Sequence, residues 1–103
     1  MAYELIIGLN VTDEDTYQQY RTAMRPILKA HGGGFRYDFR VSEVLRTQAS
    51  HDINRVFAIY FSDKAARERF FTNDAYRQVR AQYFDPSVEG STVISAYDTD
   101  SIA

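Results

Sequence analysis

Apolar residues recur along this chain with a period that switches back and forth between two and about 3.6, and the order of the switches leaves few folds open. Over residues 3–11, Tyr3, Leu5, Ile7, Leu9 and Val11 alternate with Glu4, Ile6, Gly8 and Asn10, the pattern of a strand with one fully apolar face. Thr12-Asp13-Glu14-Asp15 then offers a side-chain cap and acids for the positive end of a helix. Tyr17, Tyr20, Met24, Ile27, Leu28 and His31 follow at steps of three and four, which predicts a helix ending near His31. Gly32-Gly33-Gly34 stops that helix and turns the chain into the next element.

Phe35, Tyr37, Phe39, Val41 and Leu45 alternate with charged and polar neighbours, predicting a second strand over 35–46 with a connecting loop at 47–54. Arg55 to Phe61 is nearly continuous apolar sequence, as expected of an inner strand covered on both faces. Ser62 or Asp63 caps a second helix with the stripe Ala66, Phe70, Tyr76, Val79 and Tyr83, broken near Thr72-Asn73-Asp74 and ended by Asp85-Pro86. Val88 to Tyr97 supplies a fourth strand. One domain over residues 1–98 is expected, with a short acidic tail at 99–103.

The order β-α-β-β-α-β is the ferredoxin-like arrangement, an α+β fold with a four-stranded antiparallel sheet and two helices on one face. The other face is expected to show Glu4, Ile6, Gly8 and Asn10, with Val56, Ala58 and Tyr60, and Thr92, Ile94 and Ala96. That set is too apolar for water, so two sheets packed face to face, a homodimer forming an α+β barrel, are expected.

Composition narrows the chemistry. The 103 residues include no Cys and no Trp, which removes thiol nucleophiles, disulfides and thiolate metal sites. Twelve basic residues against 14 acidic ones give a net charge of −2, a poor match to a nucleic-acid or anionic-membrane surface. The opening segment MAYELIIGLNV has no basic region and only a short apolar stretch, so neither a leader nor a span is expected, and a cytoplasmic location is. His31 and His51 stand alone without carboxylates at ligand spacing, so no metal is expected.

His31, at a helix end beside a glycine turn, is a candidate general base, against the stronger plain reading of a cap on the last carbonyls. Arg36, Asp38 and Arg40 alternate on one strand and are expected to project to one side, where two arginines flanking an aspartate suit a small carboxylate. The catalytic candidates are thus His31 and Asp38, and the ligand-binding candidates Arg36, Arg40, Tyr60 and Asn10, with a charged strand edge as the plain alternative.

Tyr17, Tyr20, Pro26 and Leu28, then His31-Gly32-Gly33-Gly34-Phe35, Val44-Leu45, the 56–61 strand, Ala65-Ala66, Phe70, Tyr76 and Arg80 together resemble the DUF1330 family over nearly the whole chain. Many members carry a glycine pair after a strand arginine where this chain has Arg40-Val41-Ser42. The resemblance implies a ferredoxin-like fold within the dimeric α+β barrel superfamily, and no established activity. The expected function is a homodimer binding or transforming a small anionic or aromatic metabolite without a cofactor. A non-catalytic interaction module and a cofactor-free monooxygenase-like enzyme are the alternatives.

Overall fold

The computed structural model describes residues 1–100. Its elements run β1 (Ala2–Val11), α1 (Glu14–Ala30), β2 (Gly34–Arg40), β3 (Arg55–Phe61), α2 (Lys64–Thr72), α3 (Asp74–Val79), a π-helical turn (Arg80–Phe84) and β4 (Val88–Thr99). The strands form one antiparallel sheet in the order β2-β3-β1-β4, which is the ferredoxin-like topology. The tail expected at 99–103 falls mostly outside this description, because residues 101–103 lie outside the described residues.

Local chemistry explains where the helices begin and end. Asp13 caps α1 by accepting from the Thr16 amide at 3.1 Å, and Asp63 and Asn73 do the same for α2 and α3. At the far end of α1 the Gly33 amide donates to the Leu28 carbonyl and the Gly32 amide to the Lys29 carbonyl, a Schellman closure. Gly32 sits at φ +70°, where a side chain would be strained. Gly33 has a different reason to be glycine, since a Cβ there would meet the Tyr60 carbonyl oxygen at 2.6 Å. The second helical stretch does break at Asn73, whose side chain caps α3 instead of continuing α2.

The core lies between the helices and one face of the sheet, its inner face. Leu5, Ile7, Leu9, Phe57, Ile59 and Phe61 meet Tyr17, Tyr20, Met24, Leu28, Phe70, Tyr76 and Phe84. Burial of this set is the main stabilising contribution.

Two sequence-based expectations about β2 are corrected. The strand ends at Arg40 and not at residue 46, because Arg40 already pairs with Arg55, the first residue of β3, and nothing remains for later residues to pair with. The Val41 amide instead donates to the Asn54 carbonyl and closes a loop over 41–54. Within β2 a register shift places Phe35 opposite Ile59 and Tyr37 opposite Ala58, so Arg36 is an extra residue. A one-residue insertion reverses the faces beyond it. Tyr37 and Phe39, which strict alternation puts on the same side as Phe35, therefore lie on the outer face, 53% and 55% exposed. A register shift near Ile6 in the β1–β4 pairing likewise sets Ala96 opposite Leu5, and Ser95 and Tyr97, not Ala96, share the outer face with Ile6 and Glu4.

Candidate functional site

The outer face of the sheet is apolar at one end and charged at the other. Tyr37 and Phe39 stack there with ring centroids 5.7 Å apart. Beside them, loop 41–54 overhangs the sheet and encloses a groove of about 750 Å³. Val41, Val44, Leu45, Ile53, Val56 and Ile94 supply most of its apolar lining, and Arg46, Thr47 and Thr92 add polar groups.

The loop is held in place by side chains whose backbone-like bonding a propensity reading does not reveal. Asn54 accepts from the Val11 amide and donates to the Val11 carbonyl, both at 2.8 Å, taking the place of a strand neighbour for the end of β1. His51 makes one hydrogen bond of 2.8 Å with the Asp52 carbonyl and one of 2.7 Å with the Thr92 hydroxyl. The carbonyl can only accept, so Nδ1–H donates to it, and Nε2 meets the Thr92 hydroxyl, which holds the ring in one orientation. Its ring lies where a Cβ on Gly90 would be, 2.3 Å from His51 Cγ, so glycine is what lets the loop seat against β4. His51 thus anchors the groove.

At the other end of the same face Glu4 is fully buried between Tyr60 of β3 and Tyr97 of β4. Arg36 holds its carboxylate with two hydrogen bonds, 2.7 Å from Nε and 2.6 Å from Nη2, and the Tyr97 hydroxyl donates to Oε2. Burial alone would raise the Glu4 pKa, but the Arg36 and Tyr97 hydrogen bonds and the Arg36 charge outweigh it and hold it below the ordinary carboxylate value. The hydrogen bond to Glu4 in turn pushes Tyr97 and Arg36 upward. A carboxyl depressed on folding stabilises the protein above its ordinary value of 4.5, and that contribution is lost as pH falls through the depressed value. Glu4→Gln is therefore expected to lower the urea midpoint at neutral pH, with the gap to the wild type closing as acid protonates Glu4. A gap that stays constant from neutral pH down to about pH 3 would show that Glu4 is not the titrating group.

The expected cluster of Arg36, Asp38 and Arg40 does not form on one side. The extra residue in β2 sends Arg36 to the outer face and Asp38 and Arg40 to the inner one. There Asp38 accepts from Arg55 at 2.8 and 3.0 Å and pairs with Arg21 of α1 at 2.7 Å. Arg55 packs over the Tyr17 ring and Arg21 over the Phe35 ring. Burial draws the Arg21 pKa down, whereas its hydrogen bonds to Asp38 push that of Arg55 up. Arg40 is largely exposed and 3.9 Å from Glu14.

His31 takes its second expected role. It stands at the C-cap of α1, where Nδ1–H donates to the Ile27 carbonyl at 2.8 Å, and its ring meets Phe70 edge-on. Tyr60 lies on the outer face across Gly34. Asn10 is half-buried opposite Gly90. Of the six candidates, Arg36 and Tyr60 flank Glu4 together, and the rest are dispersed. Glu4 stood out in the sequence as an acid inside an apolar strand, and Arg55 as a cation heading an apolar run. Asn54, Arg21 and Tyr97 carried no such signal. Among the described residues no group of three or more His, Asp or Glu is placed to hold a metal ion, and no helix is long and apolar enough to cross a membrane.

Comparison with known proteins places this geometry. A domain of unknown function, DUF1330, matches residues 2–96. No curated protein matches the chain. Among solved structures, a Rhodopseudomonas palustris protein of unknown function is similar with a TM-score of 0.80 at 14% identity, over 98% of this chain and 84% of that one. A dimeric ferredoxin-like protein of unknown function from Jannaschia sp. matches with a TM-score of 0.56 at 17% identity, over 96% of this chain and 100% of the other. The cofactor-independent oxygenase SnoaB from Streptomyces nogalater matches with a TM-score of 0.56 at 9% identity, over 98% and 93%. At these identities the likeness is one of fold.

Proposed function

The chain belongs to the DUF1330 family, and from that premise we propose that it acts as a homodimer, joined through the outer face of its sheet, that binds a small aromatic or apolar metabolite in the groove beneath loop 41–54. The observation that carries this reading is the groove itself, about 750 Å³ with a mainly apolar lining, opening on a sheet face that leaves Tyr37, Phe39 and Ile94 more than half exposed. A space of that size and character suits a metabolite, since ligand pockets commonly run about 300–1,000 Å³ with a few polar groups among apolar walls. The exposed face supports pairing, because a contiguous apolar patch on a soluble domain is normally covered. The Jannaschia protein of the same fold is described as dimeric, which supports pairing as such.

Binding rather than turnover is the better account of the polar residues. Asp38 is committed to two arginines on the inner face, and His31 stands at the end of α1 against Phe70, so neither is placed to act as a base in the outer groove. The oxygenase alternative has only a fold likeness at 9% identity behind it.

Light scattering on the wild type is expected to give twice the chain mass of 11.9 kDa at micromolar concentration. Phe39→Asp, which places a charge on the exposed pair of stacked rings in the proposed interface, is expected to weaken self-association at least about tenfold. The aromatic anion 1-anilinonaphthalene-8-sulfonate is expected to bind the wild type and to lose at least about tenfold in affinity with Ile94→Asp but not with Ile94→Val. A monomeric wild type removes the dimer, and equal probe binding by all three proteins removes the groove.

A further inference from the structure

A second space lies on the inner side of the sheet, enclosed between strands and helices and about 40 Å³ in volume. Its walls are aromatic and aliphatic, with Phe35, Phe57, Phe70 and Phe84 prominent. Tyr20 and Tyr76 reach it from α1 and α3, are 5% and 2% exposed, and hold their hydroxyls 2.8 Å apart.

That pair is incompletely satisfied. Two phenols carry two O–H donors, and the bond between them uses one. Among the described residues no other hydroxyl, carboxylate or carbonyl accepts from either. One phenolic hydrogen therefore has no protein acceptor, an expensive condition for a buried donor. Arg80, from the π-helical turn, also lines the space and stacks over Phe84 at 4.7 Å. Either hydroxyl can be the donor within the pair, so the free hydrogen belongs to Tyr20 or to Tyr76. π-helical turns inside helical stretches occur often at functional sites.

We propose that this interior space is a binding site, independent of the outer groove, for an uncharged molecule of about two to four heavy atoms carrying one hydrogen-bond acceptor, which takes the phenolic hydrogen left free by Tyr20 and Tyr76. Volume sets the size. Charge is excluded because an ion in this lining has no buried counter-ion, the Arg80 side chain being 43% exposed and facing Asp85 at 3.7 Å. The aromatic walls accommodate the apolar part of the guest and the free phenolic hydrogen orients its acceptor.

Acetone and xenon separate the two requirements, since acetone needs the donor as well as the volume and xenon needs the volume alone. Crystals soaked in acetone are expected to show its oxygen about 2.8 Å from a phenol of the pair, and tyrosine ring shifts should report the same binding in solution. Tyr20→Phe combined with Tyr76→Phe, which removes both donors, is expected to weaken acetone binding at least about tenfold while xenon still enters, which also shows that the double variant retains the cavity. Phe84→Trp, which fills the space and keeps both phenols, is expected to abolish both. The proposal is overturned by a bound water that neither probe displaces, by acetone binding that survives loss of both phenols, or by wild-type crystals that take up no xenon.

Discussion

Replacing Asp38 with alanine is expected to cost about 3 kcal/mol of folding stability, the lower end of the range for removing one partner of a buried ion pair. The loss is large because Asp38 answers two guanidinium groups at once, Arg55 at 2.8 Å and Arg21 at 2.7 Å, with side chains only 9% and 14% exposed. Their other neighbours are Tyr17 and Phe35 rings, which attract a cation but do not neutralise it. Glu14 lies 3.6 Å from Arg55 but is half exposed, and cannot take over. In a domain of this length such a cost corresponds to a fall in Tm of roughly 12–24 °C. Asp38→Asn keeps the shape and loses the charge, and is expected to fall nearly as far. Desolvation, not the pairing energy, sets these losses, so Asp38→Leu combined with Arg21→Leu and Arg55→Met is expected to restore most of the stability. A triple variant no more stable than Asp38→Ala would mean that the network contributes by its own bonding. Calorimetry on the three proteins decides.

The same residue shows how far the sequence could be read. The β-α-β-β-α-β order, the helix cap at Asp13 and the stop at Gly32 follow from periodicity and single-residue chemistry, both of which are local. The single extra residue at Arg36 is not local. It depends on how β2 meets β3, and it alone decides that Asp38 faces α1 while Arg36 faces Glu4. Strict alternation sorted those side chains onto one side and sent Tyr37 and Phe39 inward. An apolar outer face was still legible, because Ile6, Val56 and Ala58 lie where β1 and β3 pair without a register shift and the period holds. The groove was not, since loop 41–54 is set by Asn54 and His51 reaching partners 41 to 43 positions away in the chain. Such contacts leave no mark on hydropathy.

Function follows from that division. The sheet separates two spaces, an open groove outside and a small enclosed one inside, and the acid-base residues prominent in the sequence mostly stabilise the frame between them. Glu4 with Arg36 secures one end of the outer face, and Asp38 with Arg21 and Arg55 ties α1 to the sheet. Polar groups committed in this way set the positions of apolar walls, which suits the binding proposed above.

Phe70→Ala is expected to cost about 3–5 kcal/mol, a large fraction of the roughly 5–15 kcal/mol typical of a folded domain. Phe70 is fully buried at the centre of the aromatic cluster, with ring centroids 4.2 Å from Tyr76, 5.1 Å from Phe71 and 5.6 Å from Phe61. It also gives His31 the edge-on contact that seats the end of α1. Because α2, α3, α1 and β3 all contribute to this cluster, no one element can move to fill the hole without breaking contacts elsewhere, so little relaxation is expected. Thermal melts should fall by roughly 12–40 °C. Phe70 also lines the interior space, and its truncation should enlarge that space enough to admit benzene, as apolar cavities in other proteins do. Benzene is then expected to raise the Tm of Phe70→Ala and leave the wild type unchanged, because a ligand that binds only the folded form stabilises it by mass action. A drop of less than about 5 °C without any benzene response would mean that the cluster collapses around the missing ring, and the core would then be softer than its packing implies.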